Sequence, residues 1–277
     1  MELQLINTGF FKLDGGAMFG VVPKSLWSRT NPADENNLCN WAMRSLIIKE
    51  GNRSFVIDSG MGDKQSEKFF SHYYLNGNDS LANGLKKADL GFDEITDAFL
   101  THLHFDHCGG GVKRKGDKLV PTFSNATYWS NKDHWKWATE PNPREKASFL
   151  VENIMPMQDS GQLDFVNVQK ENRLPFEVIT VDGHTEKQML PKIKYKGKTL
   201  VFMADLLPSV GHIPLPYVMG YDTRPLLTMS EKQAFLNEAA DNGYILVLQH
   251  DPINECCTVK HTDKGVRLDQ TFAFSDI

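Results

Sequence analysis

Four side chains of metal-binding type fall within six residues, at His102, His104, Asp106 and His107. They sit in the run Thr101-His102-Leu103-His104-Phe105-Asp106-His107-Cys108-Gly109-Gly110-Gly111, directly after the apolar stretch Thr96 to Leu100. The chain holds nine histidines in all, so three in six positions is a concentration that chance packing does not supply. Imidazoles this close repel when charged and gain little when neutral, unless a cation lies between them. On extended backbone His102 and His104 alternate by two, point the same way and can grip one ion. Asp106 and His107 follow where the chain must turn, so they can face a second ion. Gly109 to Gly111 let the backbone turn sharply there. Imidazole plus carboxylate suits Zn, Fe, Mn, Co or Ni, and not Ca or Mg.

Three more candidates follow apolar runs in the same manner. His184 comes after Glu177 to Val181, Asp205 after Thr199 to Met203, and His250 after Tyr244 to Leu248. Strand ends present side chains on rigid supports. Further runs predict a hairpin from Met43–Ile48 and Ser54–Ile57 through Glu50-Gly51-Asn52, and another from Lys192–Tyr195 into Thr199 through Lys196-Gly197-Lys198. Helices are predicted over Ser130–Thr139, Glu145–Met155, Gln65–Tyr74 and Leu81–Ala88. The clearest is Glu231–Asn242, with Ser230 and Gln233 at capping-box spacing and Gly243 as its stop. Hairpins in both halves with helices between them predict an α/β (α+β) chain, two mixed sheets packed together with helices outside. No linker interrupts the 277 residues, so one domain over 1–277 is expected.

The formal net charge of −5 argues against a nucleic-acid partner. No apolar stretch approaches the ~20 residues of a membrane span, and Met1 to Leu5 lacks the features of a signal peptide, so a cytoplasmic location is expected. The four cysteines form no C-x-x-C pair and are expected to stay thiols.

The pattern His102-x-His104-x-Asp106-His107, then Gly183-His184, Asp205 and His250, resembles the metallo-β-lactamase fold hydrolases over nearly the full chain. Val56-Ile57-Asp58-Ser59-Gly60 resembles that family's second strand, whose Asp supports the metal ligands. The resemblance implies a four-layer αββα sandwich of two mixed β-sheets. It implies two divalent ions, zinc first among the metals named above. His102, His104 and His184 would bind one, Asp106, His107 and His250 the other, and Asp205 would bridge both. A Glu in place of His104 would have pointed to the diiron redox branch, and a Cys in place of Asp205 to a B1 β-lactamase.

Phe11 to Lys24 is similar to the opening of quorum-quenching N-acyl homoserine lactonases and of methyl parathion hydrolases. The implied activity is opening of a lactone or ester such as an N-acyl homoserine lactone. Two ions ~3.5–4 Å apart share a bridging water and lower its pKa toward ~7. Asp106 would pass a proton to the leaving alkoxide as catalytic acid. Met18, Phe19 and Leu207 would line the substrate site. Pro208 stands where some lactonases carry a Tyr, and His212 is the substitute on offer. The competing functions are a phosphotriester or phosphodiester hydrolase using the same ions, and a metal-binding sensor without turnover, against which all seven ligand positions are filled. The partner expected is a small-molecule substrate, and related enzymes of this type often form homodimers.

Overall fold

The β-branched and apolar runs become the strands of two large mixed sheets in the computed structural model, which describes residues 1–166 and 173–277. In chain order the strands are β1 (Glu2–Asp14), β2 (Leu38–Glu50), β3 (Arg53–Ile57), β4 (Asp97–Phe99), β5 (Val112–Lys115), β6 (Lys118–Pro121), β7 (Thr127–Ser130) and β8 (Leu163–Phe165). They continue as β9 (Glu177–Val181), β10 (Gln188–Tyr195), β11 (Lys198–Phe202), β12 (Ile245–Val247), β13 (Cys256–Thr262) and β14 (Gly265–Phe272). One six-stranded sheet has the order β1-β2-β3-β4-β7-β8, the other β14-β13-β12-β11-β10-β9, and β5 and β6 form a separate ribbon. β3, β4, β7 and β8 run parallel, as do β11 and β12, while the hairpins β2–β3 and β10–β11 are antiparallel. Both predicted hairpins are present, and the sheets are mixed as expected.

The chain divides into two compact units. The first comprises Met1–Phe10, Met43–Pro175 and Lys187–Met189. Its core gathers Ile47, Val56, Ala98, Leu100, Tyr128 and Met157, each almost fully removed from water. The second comprises Phe11–Ala42, Phe176–Glu186 and Leu190–Ile277. There Val201, Phe202, Leu246 and Val247 of β11 and β12 are buried, as are Phe235, Leu236 and Ala239 of the long helix. Strands buried on both faces read as continuous apolar runs, which is why these were visible in the sequence.

Three helices differ from expectation. The long one runs Pro225–Asn242 rather than from Glu231, and Ser230 lies inside it. Pro225 occupies the first turn, where its missing N–H costs nothing and its fixed φ favours the helix, so it overrides the capping-box pattern. Its other end is as predicted, with Gly243 left-handed at φ 62°. The helix expected at Glu145–Met155 runs Val151–Asp159 and carries Pro156 inside, at the loss of one backbone hydrogen bond. Residues 143–148 instead form turns, with the backbone N–H of Ser148 and of Phe149 bonded to the Glu145 carbonyl. The expected helix Gln65–Tyr74 shortens to Glu67–Phe70, capped by Ser66. No helix among the described residues is long and apolar enough to cross a membrane.

Candidate metal centre

In the first unit, the parallel strands β3 and β4 end side by side, and the residues just past them build one set of candidate ligands. Asp58 follows β3 with a left-handed φ of 57° and no solvent exposure. Such a backbone is unfavourable for a side-chain-bearing residue, and three hydrogen bonds hold it there. Its Oδ1 accepts from the Thr101 N–H at 2.8 Å, and its Oδ2 from the Thr101 hydroxyl at 2.8 Å. Asp58 Oδ2 also lies 2.9 Å from His107 Nδ1, fixing the proton there and leaving the lone pair on Nε2. Thr101 Oγ1, its proton given to Asp58, stands 3.1 Å from His102 Nδ1 and accepts its N–H. His102 Nε2 then faces His104 Nδ1 at 3.1 Å.

A single helical turn, Phe105–Cys108, starts from His104 and carries Asp106 and His107, whose facing atoms are 3.6 Å apart. Ser59 holds the turn from beneath, its N–H and hydroxyl both donating to the His107 carbonyl. Gly109 and Gly110 are needed for space rather than for a left-handed backbone. A Cβ at Gly109 would lie 2.2 Å from the Met61 carbonyl oxygen, and one at Gly110 would lie 2.1 Å from that of Ser59. Cys108 is packing: its Sγ lies 3.3 Å from the Leu103 carbonyl, and burial pushes the thiol up to about 12.

In the second unit, β9, β11 and β12 deliver His184, Asp205 and His250. Asp182 and Gly183 donate their N–H groups to Glu231, at 2.7 and 2.9 Å, which ties the chain before His184 to the long helix. Ala204 brings Asp205 out of β11 through a left-handed φ of 42°. Asp205 Oδ2 lies 3.1 Å from His184 Nε2, and Oδ1 lies 3.0 Å from His250 Nε2. The far nitrogens are again held: His184 Nδ1 at 3.0 Å from Asp222 Oδ1, and His250 Nδ1 at 2.7 Å from the Ala42 carbonyl. Both imidazoles thus turn their Nε2 edge toward a carboxylate oxygen. Burial pulls the His184 ring down, but Asp205 and Asp222 outweigh it and push it up to about 10. The pair of carboxylates demands positive charge, which a divalent cation also supplies.

The donor set fits such a cation. Ligands 2.0–2.2 Å from a tetrahedral ion lie about 3.3–3.6 Å from one another. The facing pairs His102–His104, Asp106–His107, His184–Asp205 and His250–Asp205 are spaced 3.0 to 3.6 Å. His102, His104, Asp106 and His107 of one unit and His184, Asp205 and His250 of the other are each candidate metal ligands.

The model of the metallo-beta-lactamase superfamily matches residues 44–250, three quarters of the chain. The chain belongs to the metallo-β-lactamase superfamily. Among solved structures, a probable metal-dependent hydrolase from Staphylococcus aureus is 28% identical, covering 98% of this chain and 96% of its own, with a TM-score of 0.87. AidC, a dizinc quorum-quenching lactonase in complex with a product, is 21% identical over 98% and 95% of the two chains, TM-score 0.80. A quorum-quenching N-acyl homoserine lactone lactonase is 17% identical over 90% and 92%, TM-score 0.68. Comparison with curated proteins gives no match. The two mixed sheets are those of the superfamily fold, and the chain is a hydrolase.

The substrate-side residues expected of this superfamily member are placed less openly. Met18, Phe19 and Leu207 are buried to 2% exposure or less. His212 is buried too, and both ring nitrogens are engaged: Nδ1 with the Ser209 hydroxyl at 2.8 Å, Nε2 with the Met18 carbonyl at 2.9 Å. Its ring stacks on Phe19 with centroids 4.3 Å apart. Burial pushes it down to about 3, so it is neutral. His212 therefore clamps the Met18–Phe19 turn.

Several residues carried no signal in the sequence. Asp222 is a lone acid in a loop. His134 accepts the Leu103 N–H at 2.8 Å within the ligand run. Phe69, Tyr73 and Phe105 form an aromatic cluster beside Asp106, with ring centroids 4.7 to 5.2 Å apart. Burial first and the Asp106 charge second raise the Tyr73 phenol above its ordinary value.

Proposed function

We propose that the chain is a dinuclear metal-dependent hydrolase that opens a lactone or ester, an N-acyl homoserine lactone being the substrate class in view. The observation that carries this is Asp205, which offers one carboxylate oxygen to His184 and the other to His250. A carboxylate so divided suits two ions, one on each side. In this reading His102, His104 and His184 hold one ion and Asp106, His107 and His250 the other, with Asp205 serving both. The family model spans all seven residues, which supports treating them as one centre. Zinc is the metal proposed, since imidazole and carboxylate suit it and AidC is described as a dizinc enzyme.

When bound, two such ions polarise a carbonyl oxygen and lower the pKa of a shared water toward ~7. The chain's own residues prepare that chemistry. Asp58 and Asp222 hold His107 and His184 in the tautomer that leaves Nε2 as donor. Asp106 is the most exposed carboxylate of the set, at 13% for its side chain, and can carry a proton to the departing alkoxide. The rings of Phe69, Tyr73 and Phe105 give an apolar wall beside it that excludes water and suits an acyl chain. The buried free cysteines accord with a reducing, cytoplasmic setting, and a role in quorum quenching follows if the lactone is the physiological substrate.

A panel of homoserine lactones of graded acyl length, run beside a phosphotriester and a β-lactam on zinc-reconstituted protein, tests the assignment. The lactones are expected to give the highest kcat/KM. Preference for the phosphotriester would replace the lactonase reading with phosphotriester hydrolysis.

A further inference from the structure

Three of the candidate metal-binding histidines meet a buried carboxylate on the edge turned away from their facing ligand. Two of those carboxylates, Asp58 and Asp222, follow directly from the geometry above. The third is Glu145, which sequence patterning placed at the start of a helix and the structure buries in a turn, at 3% exposure. Its Oε1 lies 3.5 Å from His104 Nε2. Its Oε2 is fixed from the other side by the Trp137 indole N–H at 2.7 Å and the Asn142 amide at 2.6 Å. Asn142 also accepts the Glu145 N–H through its own side-chain oxygen, which locks the turn. The same segment reaches the metal turn twice more. The Ser148 carbonyl accepts the Phe105 N–H at 3.0 Å, and the Phe149 ring lies 4.8 Å from that of His104.

We propose that Glu145 is the positioning residue of His104: it holds the Nε2 edge of the ring so that Nδ1 is the metal-facing donor. This rests on the dinuclear reading. His104 differs from the other histidines of the set, because its inward edge, facing His102 Nε2, is Nδ1 and not Nε2. An imidazole can donate to a metal through either nitrogen, and the partner of the opposite nitrogen decides which. A carboxylate at Nε2 keeps the proton there, and it makes Nδ1 a stronger donor. Carboxylate–histidine pairs of this kind are worth 10–100-fold in metal affinity. Glu145 is not a catalytic residue, since it acts only through His104.

The test is zinc binding to metal-free protein by competition with a chromophoric chelator, for wild type, Glu145→Gln, His104→Ala and the double variant. Glutamine keeps the size and an acceptor for Trp137 and Asn142, but cannot hold the proton of an imidazole as a carboxylate does. Wild type is expected to take up two ions. Glu145→Gln should weaken one of them by 10–100-fold and leave the other within a factor of about 3. In the His104→Ala background the same change should have no further effect. Glu145→Asp, which keeps the charge, should recover part of the affinity and serves if Glu145→Gln does not fold. Two ions bound by Glu145→Gln at wild-type affinity would overturn the proposal, as would an equal loss in the His104→Ala background. Wild type that takes up fewer than two ions refutes the dinuclear reading instead, and that result is read before any variant is compared.

Discussion

At the residue scale, the histidines divide by what their second nitrogen meets. His107, His184 and His250 each spend Nδ1 on a carboxylate or carbonyl and turn Nε2 toward a carboxylate. His212 spends both nitrogens on its own unit and has none to offer a ligand. That difference is invisible in a sequence, where His212 and His184 each stand beside a glycine in a loop. It has a consequence in acid. Burial holds His212 down to about 3, while in the unfolded chain it titrates near ~6.5. Between those values the unfolded state binds the extra proton, so stability rises with pH across the window. The contribution is complete above pH ~6.5 and is lost as the pH falls toward ~3. Urea unfolding of metal-free wild type and His212→Gln, measured from pH 7 down to 4, should show a steeper decline for wild type. The difference approaches about 1.4 kcal/mol per pH unit at most. Parallel declines would show that the ring is not held neutral.

At the element scale, the candidate ligands sit where parallel strands stop. β3, β4, β11 and β12 are each followed within eight residues by a ligand or by the Asp that orients one. Their backbone groups are satisfied by neighbours up to the last residue, so the side chains just beyond start from a rigid base. The turn after β4 is packed so closely that it admits no added atom. Gly110→Ala should destabilise the protein by about 1–3 kcal/mol or more, because the new Cβ meets the Ser59 backbone rather than a side chain that could move. It should also shift His107, so zinc affinity should fall along with the denaturation midpoint. A Gly110→Ala protein with both quantities unchanged would mean that the turn is looser than its packing implies.

The same elements show how much the sequence reveals. Buried strands were legible because continuous apolar runs bounded by glycine and aspartate have few other readings, and β11 and β12 lie within one residue of where they were expected. The ligand run was legible because all four of its side chains lie on one short segment. The turn around Glu145 was not. Its burial depends on Trp137 and on His104, 41 positions earlier in the chain, and no local pattern encodes a contact of that range. The start of the long helix was misplaced for a related reason: a capping-box pattern at Ser230 is a local preference, and the proline five residues before it is a stronger one.

At the scale of the whole molecule, each unit holds a set of polar side chains largely removed from water beyond its strand ends: His102, His104, Asp106 and His107 in one, His184, Asp205 and His250 in the other. Clustered imidazoles and carboxylates removed from water are costly unless a cation compensates them, and each unit retains its set. Each set is therefore a candidate for holding a metal ion. Asp205 is the residue through which the two-ion claim stands, since one carboxylate serving two ions requires both of its oxygens. The direct test is a crystal structure of zinc-reconstituted protein with diffraction recorded on either side of the zinc absorption edge. Two anomalous peaks, one beside each oxygen of Asp205, are predicted. A single peak, or peaks remote from Asp205, would contradict the account.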